Sequence, residues 1–397
     1  MKSNYRYIVK AFMAMAVIAG TTSCDDFLDR EPMSSISPET YYSTAAQLEA
    51  NLNDEYPNVL PSFGQWTYGI FGEDKGTDNQ IEVNANDRYT QDRWKVPHSE
   101  SDNWKFERIY RINFFLSEAL PKFGEDMSGS QNTISGSVAT IKHYIGEMYF
   151  LRAYEYFKKL QLFGDFPIIN QPLADEMEAL REASKRFPRN EVARFIISDL
   201  DKAYAYMSDV DMATTRINKD AAMLVKSRVA LFEATWLQNF KGTAFVPGGE
   251  GWPGASLHNN YQYPSGNLDN EVKYFLEQAV EASKLVADKS NGNLTENTGV
   301  LQQSADDPSN PYFDMFAQED LSDVKEVLLW RQYARGLSTH NINAAAGRGN
   351  YRIGLTRGFV QNFLMKDGTP VYAHGSYADG DGYYMGDKTV ADAVSYT

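Results

Sequence analysis

The sequence predicts a mainly α-helical protein. Apolar and aromatic residues recur at helical spacing through a series of long segments between residues 37 and 288, Gly-, Asn- and Ser-rich connections separate them, and strand-like runs are few and short. The most informative stretch is residues 146–169, GEMYFLRAYEYFKKLQLFGDFPII, where Phe150, Tyr154 and Phe157 fall at i, i+4 and i+7 with Met148, Leu151, Ala153 and Leu160 beside them. Most of its circumference is apolar, so other helices must cover it. It should end at Gly164, which can adopt a positive-φ cap, and Pro167 then turns Ile168 and Ile169 into an extended exit. Arg152 reads as the structural partner of a neighbouring carboxylate or helix end.

The N-terminus is a processing segment. Lys2, Arg6 and Lys10 form a basic leader, residues 11–20 are apolar but too short for a permanent span, and Thr21-Thr22-Ser23 precede Cys24, the single cysteine of the 397-residue chain. Residues 1–23 are thus expected to be a signal peptide. Cys24 looks like the lipid-attachment residue of a bacterial lipoprotein, although Thr21 stands where Leu is usual. A lone thiol allows no intrachain disulfide, so packing must supply the stability. The formal charge of −15 argues against a nucleic-acid backbone as partner.

After the acidic run DDFLDREP, Ser37 and Pro38 read as N-cap and first turn of a helix that carries Tyr41, Ala45, Leu48 and Leu52 to about Tyr56. Periodicity is lost over residues 57–101, a loop in which aromatic residues sit among Asn, Asp and Gly. A helix follows with Phe106, Ile109, Asn113, Leu116 and Leu120 on one face, stopping near Pro121 to Gly124. Beyond the 146–169 stretch, Asn190 reads as the cap of a helix bearing Val192, Ile196, Leu200, Ala203 and Met207, and the next helix carries Ala221, Val225, Val229, Phe232 and Trp236. Residues 239–267 lack regular structure, and Val272, Phe275, Leu276, Ala279 and Val286 mark a helix over 270–288. The remainder is loop-dominated, with a short buried strand expected over 326–330 and a turn at Asp367-Gly368.

Catalytic signatures are lacking. There is no G-x-S-x-G elbow, H-E-x-x-H or P-loop, Gly347 and Gly349 lack a third glycine in place, and His98, His143, His258, His340 and His374 show no metal-ligand spacing. No cofactor or metal is expected; Asp379-Gly-Asp381-Gly lacks the closing glutamate of a calcium loop. The 25 Tyr, 22 Phe and 6 Trp exceed what a core consumes, so some should sit at surfaces. Flat rings set among Asn, Asp and Arg suit sugars, whose C–H faces stack on aromatics and whose hydroxyls need polar partners. Candidates in the first loop are Trp66, Tyr68, Asp78, Asn79, Arg88, Tyr89, Arg93 and Trp94, and in the later loops Trp252, Tyr261, Tyr263, Arg348 and Tyr351. For any one ring, packing its loop onto the helices is the competing role.

The leader, DDFLD, the Trp-Tyr-Asn pattern of WKFERIYRIN, the LRAYEYF…LFGD-P run, RVALFEA and the MKDG turn occur in an order that resembles the SusD/RagB family of Bacteroidetes outer-membrane nutrient-binding lipoproteins. The resemblance implies a tetratricopeptide-like helix-pair solenoid with a loop-rich variable face and a few short strands, though no repeat of roughly 34 residues shows. It divides the mature chain, 24–397, into a helical platform over 24–239, including the loop 57–101, and a loop-rich part over 240–397. It implies binding of a glycan or oligosaccharide nutrient without catalysis, and delivery to a SusC-like TonB-dependent transporter, the helical side docked on the barrel like a hinged cover. The protein would be lipid-anchored at Cys24, facing outward from the outer membrane. Family members continue well past the MKDG turn, so the chain is expected to lack a C-terminal part. A helical protein-interaction lipoprotein without a glycan ligand, or a surface glycosidase, are the rival classes.

Overall fold

The computed structural model describes residues 41–64, 74–82, 103–124, 126–208, 212–300, 304, 306–334, 339, 353–364 and 368–370. Cys24 and the leader lie outside the described residues, as do Ser37, Pro38 and Asp367. The long helices are α1 (Ala45–Val59), α2 (Glu107–Phe123), α3 (Val138–Phe163), α5 (Arg189–Tyr206), α6 (Lys219–Asn239) and α7 (Leu268–Ser290). Three short ones, α4 (Met177–Ala183), α8 (Pro311–Ala317) and α9 (Arg357–Gln361), were not expected from periodicity. Strands β1 (Gln80–Glu82) and β2 (Ile353–Leu355) pair antiparallel, Gln80 opposite Leu355.

Each long helix packs on its predecessor in the stack. α1 and α2 both lie against α3, α3 against α5, α5 against α6 and α6 against α7. This is the helix-pair solenoid expected, with one continuous core running from Leu48 and Leu52 through Phe115, Phe150, Tyr156, Ile196, Leu200 and Val229 to Phe275. α3 is buried nearly all round, as its composition requires. Gly146 lets α5 come close, since a Cβ there would lie 2.9 Å from the Ala203 carbonyl oxygen. Gly164 closes α3 at φ 67°.

Arginine–carboxylate clasps cross the seams. Arg152 of α3 donates from Nε and Nη2 to Asp199 of α5 at 2.6 and 2.8 Å, and from Nη1 to the Asn113 side chain of α2 at 2.9 Å. Arg189 binds Glu233 of α6, Arg194 binds Glu271 of α7, and Arg216 binds Glu147 of α3, each with its shortest contact at 2.7–2.8 Å. The expected structural role of Arg152 is met. Each of these carboxylates is wholly buried, so removing one partner would strand a charge in the interior.

Local assignments differ in three places. α1 starts after Thr44, not Ser37, because Thr44 and Gln47 form a reciprocal capping box, and Tyr41 and Tyr42 precede the helix; its other end runs past Pro57 to Val59. Asn190 caps nothing. It lies inside α5, fully buried, and donates to Glu271 at 3.0 Å, while Asp165 caps that helix by accepting the Arg189 N–H at 2.9 Å. Residues 326–330 are not a strand: Trp330 instead donates its backbone and indole N–H to Thr214 at 3.1 and 2.9 Å, and the Leu328 carbonyl accepts from Asn218. An antiparallel bridge joins Leu364 to Pro370, while Asp367 of the expected turn lies outside the described residues.

Candidate ligand-binding rim

The LFGD-P end of α3 is the hub of the loop 240–266. Gly164 reverses the chain, and Asp165 emerges with both carboxylate oxygens engaged: Oδ1 accepts from the Arg189 N–H and Oδ2 from Trp252 Nε1 at 2.8 Å. Burial raises the Asp165 pKa above its ordinary 3.8, against the lowering effect of those two hydrogen bonds and of Arg189 and Arg186. One carboxylate thereby fastens a helix start and a distant loop to the same point.

Trp252, Tyr261 and Tyr263, three of the candidates from the later loops, form one aromatic cluster. Trp252 and Tyr261 have ring centroids 5.6 Å apart, Tyr261 and Tyr263 5.1 Å, and His258 stacks on Trp252 at 6.0 Å. Trp252 and Tyr261 fasten the loop to the solenoid, and Tyr263 ties the loop to itself while packing against the core. Trp252 is only 5% exposed; the Tyr261 hydroxyl donates to Asn190 Oδ1 at 3.0 Å, and that of Tyr263 to the Pro247 carbonyl. Burial raises both tyrosine pKa values. All three rings make packing contacts, the use that competes with ligand binding for each.

Asp78 and Asn79 belong to a separate ribbon. The Asn79 carbonyl accepts the Thr356 N–H at 2.8 Å, the Asp78 carbonyl accepts the Thr356 hydroxyl, and the Asp78 side chain is exposed. The β1–β2 pairing ties the first loop to the late segment across most of the chain. Trp66, Tyr68, Arg88, Tyr89, Arg93, Trp94, Arg348 and Tyr351 lie outside the described residues.

Beside the Trp252 cluster opens a pocket of about 510 Å³ lined by Gln161, Leu162, Asp165, Arg186, Trp236 and Phe245, among others. Arg186 lies over the Trp104 ring at 4.5 Å, and Trp236 carries the Arg189 guanidinium at 4.1 Å. Sequence reasoning placed Trp104 and Trp236 only as helix-pattern residues and passed over Arg186 and Phe245. Nothing in a linear pattern signals that an α3 terminus, an α5 lead-in and a loop 80 residues on share a cavity. Among the described residues there is no group of three or more His, Cys, Asp or Glu placed to hold a metal ion.

A stack of paired helices that carries a loop clamped by aromatic rings is the class of scaffold this geometry defines. The family model described as "Starch-binding associating with outer membrane" matches residues 26–231, half of the chain, and the chain belongs to this SusD-like family. It is 25% identical over 233 residues to SusD-like protein P25 of Formosa agariphila, covering 54% of this chain and 41% of that protein. The fold matches a SusD-like protein of Bacteroides fragilis at TM-score 0.52 and 19% identity, covering 86% of this chain and 57% of that one. A SusD-like carbohydrate binding protein of the same species aligns at TM-score 0.51 and 14% identity, covering 85% and 57%. The chain therefore spans less than half the length of the curated relative and little more than half of either structure.

Proposed function

We propose that this protein captures oligosaccharide nutrients at the cell surface, held to the outer membrane by lipid on Cys24, and passes them to a SusC-like TonB-dependent transporter. The observation that carries the reading is the family match over residues 26–231, whose description names starch binding and the outer membrane. The aromatic and polar make-up of the loops supports it. Binding of this kind is non-covalent: rings stack on sugar C–H faces, amides and guanidinium groups take the hydroxyls, and no bond is broken.

Calorimetric screening of a glycan panel tests the reading, with Trp66→Ala and Trp94→Ala as the rim variants. Loss of one stacking ring should weaken binding by roughly two- to tenfold at unchanged thermal stability. Trp252→Ala is the control for a packing role and should lower stability. No new reducing ends should form during the incubation; hydrolysis abolished by one carboxylate substitution would favour the glycosidase. Failure to bind any glycan would favour the protein-interaction module, a reading supported by the exposed apolar groove between α6 and α7 that Leu224, Leu231, Leu276 and Val280 line.

A further inference from the structure

We propose that the pocket at the end of α3 is a subsite for an acidic sugar, a uronic acid whose carboxylate pairs with Arg186. The proposal rests on the glycan-binding reading above and adds a ligand class and a place. Arg152, Arg189, Arg194 and Arg216 each spend their donor forks on a buried carboxylate. Arg186 does not. Among the described residues it makes no ion pair; its guanidinium lies over Trp104 at 4.5 Å, and no side-chain hydrogen bond takes its N–H donors. A planar carboxylate is the acceptor that a guanidinium fork matches bidentately.

The rest of the pocket suits a sugar ring. Leu162, Phe245 and Leu257 line it and are 57%, 61% and 54% exposed, an apolar rim of the kind that a pyranose C–H face covers. The Gln161 amide offers both donor and acceptor to hydroxyls, and Asp165, with one donor on each oxygen, keeps lone pairs free to accept another. A volume of about 510 Å³ falls in the range of small-ligand sites. The neighbouring charges largely offset one another: Arg189 is neutralised by Glu233, and Asp165 lowers the local potential that Arg186 raises. With an overall formal charge of −15, attraction for an anion is short-ranged and confined to this pocket, so a single uronate residue within an oligosaccharide is the ligand that fits.

Titration calorimetry with a tetrasaccharide that carries one uronic acid, with a neutral tetrasaccharide and with a sulfated one, on the full chain and on Arg186→Gln, Arg186→Lys and Phe245→Ala, tests the assignment. The uronate should bind; Arg186→Gln should weaken it by about tenfold and Arg186→Lys by less, since a charged hydrogen bond is lost in one and retained in part in the other. Neutral glycans bound at the aromatic rim should be unaffected by Arg186→Gln, and added salt should weaken only the uronate. Because Arg186 is exposed, the variants should melt with the parent, which circular dichroism checks. Uronate binding unchanged in Arg186→Gln overturns the proposal, as does binding of neutral or sulfated oligomers in place of the uronate; both leave the glycan reading standing. Absence of binding to every glycan overturns the two together.

Discussion

Asp165 joins three segments with two oxygens. Its carboxylate holds the start of α5 and the indole of Trp252, so the loop 240–266 depends on a residue that a sequence reading treats as part of a helix end. Asp165→Ala removes both acceptors from part-buried donors and should cost about 2–4 kcal/mol, while Trp252→Phe, which keeps most of the ring burial, should cost about 1 kcal/mol. Urea denaturation of the two variants measures the difference, and equal costs would show that the hydrogen bond from the Arg189 N–H to Asp165 adds nothing. Glu271 supplies a pH signature. Burial acts to raise its pKa, but hydrogen bonds from Arg194, Asn190 and Ser265 outweigh it and hold the group below its ordinary 4.5. Its folded value lies under its unfolded value, so its contribution is present above about pH 4.5 and disappears as pH falls through the folded value. The stability advantage of the parent over Glu271→Gln should therefore shrink on acidification below pH 4.5 in a pH series of denaturation curves. Glu233 runs the other way, raised by burial against the pull of Arg189, so its contribution declines as pH rises.

Among the elements, long helices with a repeating apolar face were legible and their partners were not. Val192, Ile196 and Leu200 or Val229 and Phe232 announce a helix whichever helix covers them, because burial of the stripe is required in any packing. Caps are decided by geometry that several polar residues could meet. Ser37, Thr44 and Asn190 all have the chemistry, but only Thr44 has Gln47 three residues on, and Asn190 is drawn into the core by Glu271 and Tyr261. Residues 326–330 are apolar enough for a strand, but among the described residues none pairs with them as one, and Trp330 finds its partner in Thr214. The β1–β2 ribbon joins residues too far apart for any local signal. The rim was legible as composition, not as position. Trp252, Tyr261 and Tyr263 do converge, yet whether a ring faces solvent or packs depends on Asp165 and Asn190, more than 60 residues away in sequence. Gly146 tests how tightly α3 and α5 are fitted. On an isolated helix Gly→Ala would gain up to about 1 kcal/mol, but here the methyl meets the Ala203 carbonyl at 2.9 Å and Met207 Cγ at 2.8 Å. Gly146→Ala should therefore destabilise by about 1–3 kcal/mol, and a stabilised variant in denaturant titration would refute the close fit.

At the scale of the molecule, the described residues leave the seam between α6 and α7 open on one side. α1 to α6 are each covered in turn, but α6 and α7 share an outer groove of about 790 Å³ in which Leu224, Leu231, Leu276 and Val280 are all exposed. Buried clasps hold the inner seams, and no comparable polar group lines this groove except Arg228 and the hydroxyls of Ser227, Thr235 and Ser283. An apolar channel between two packed helices is the shape that a third helix fills, so the chain in water should associate through it as concentration rises. Sedimentation velocity over a concentration series should show a shift to faster species, and Leu231→Glu combined with Val280→Glu should abolish the shift by placing two like charges on the approaching faces. Because both side chains already meet solvent, the double variant should change stability by no more than about 1 kcal/mol. A parent chain that stays monomeric across the series would mean that the groove is too shallow or too well hydrated to drive contact. Association that persists in the double variant would place it on another surface.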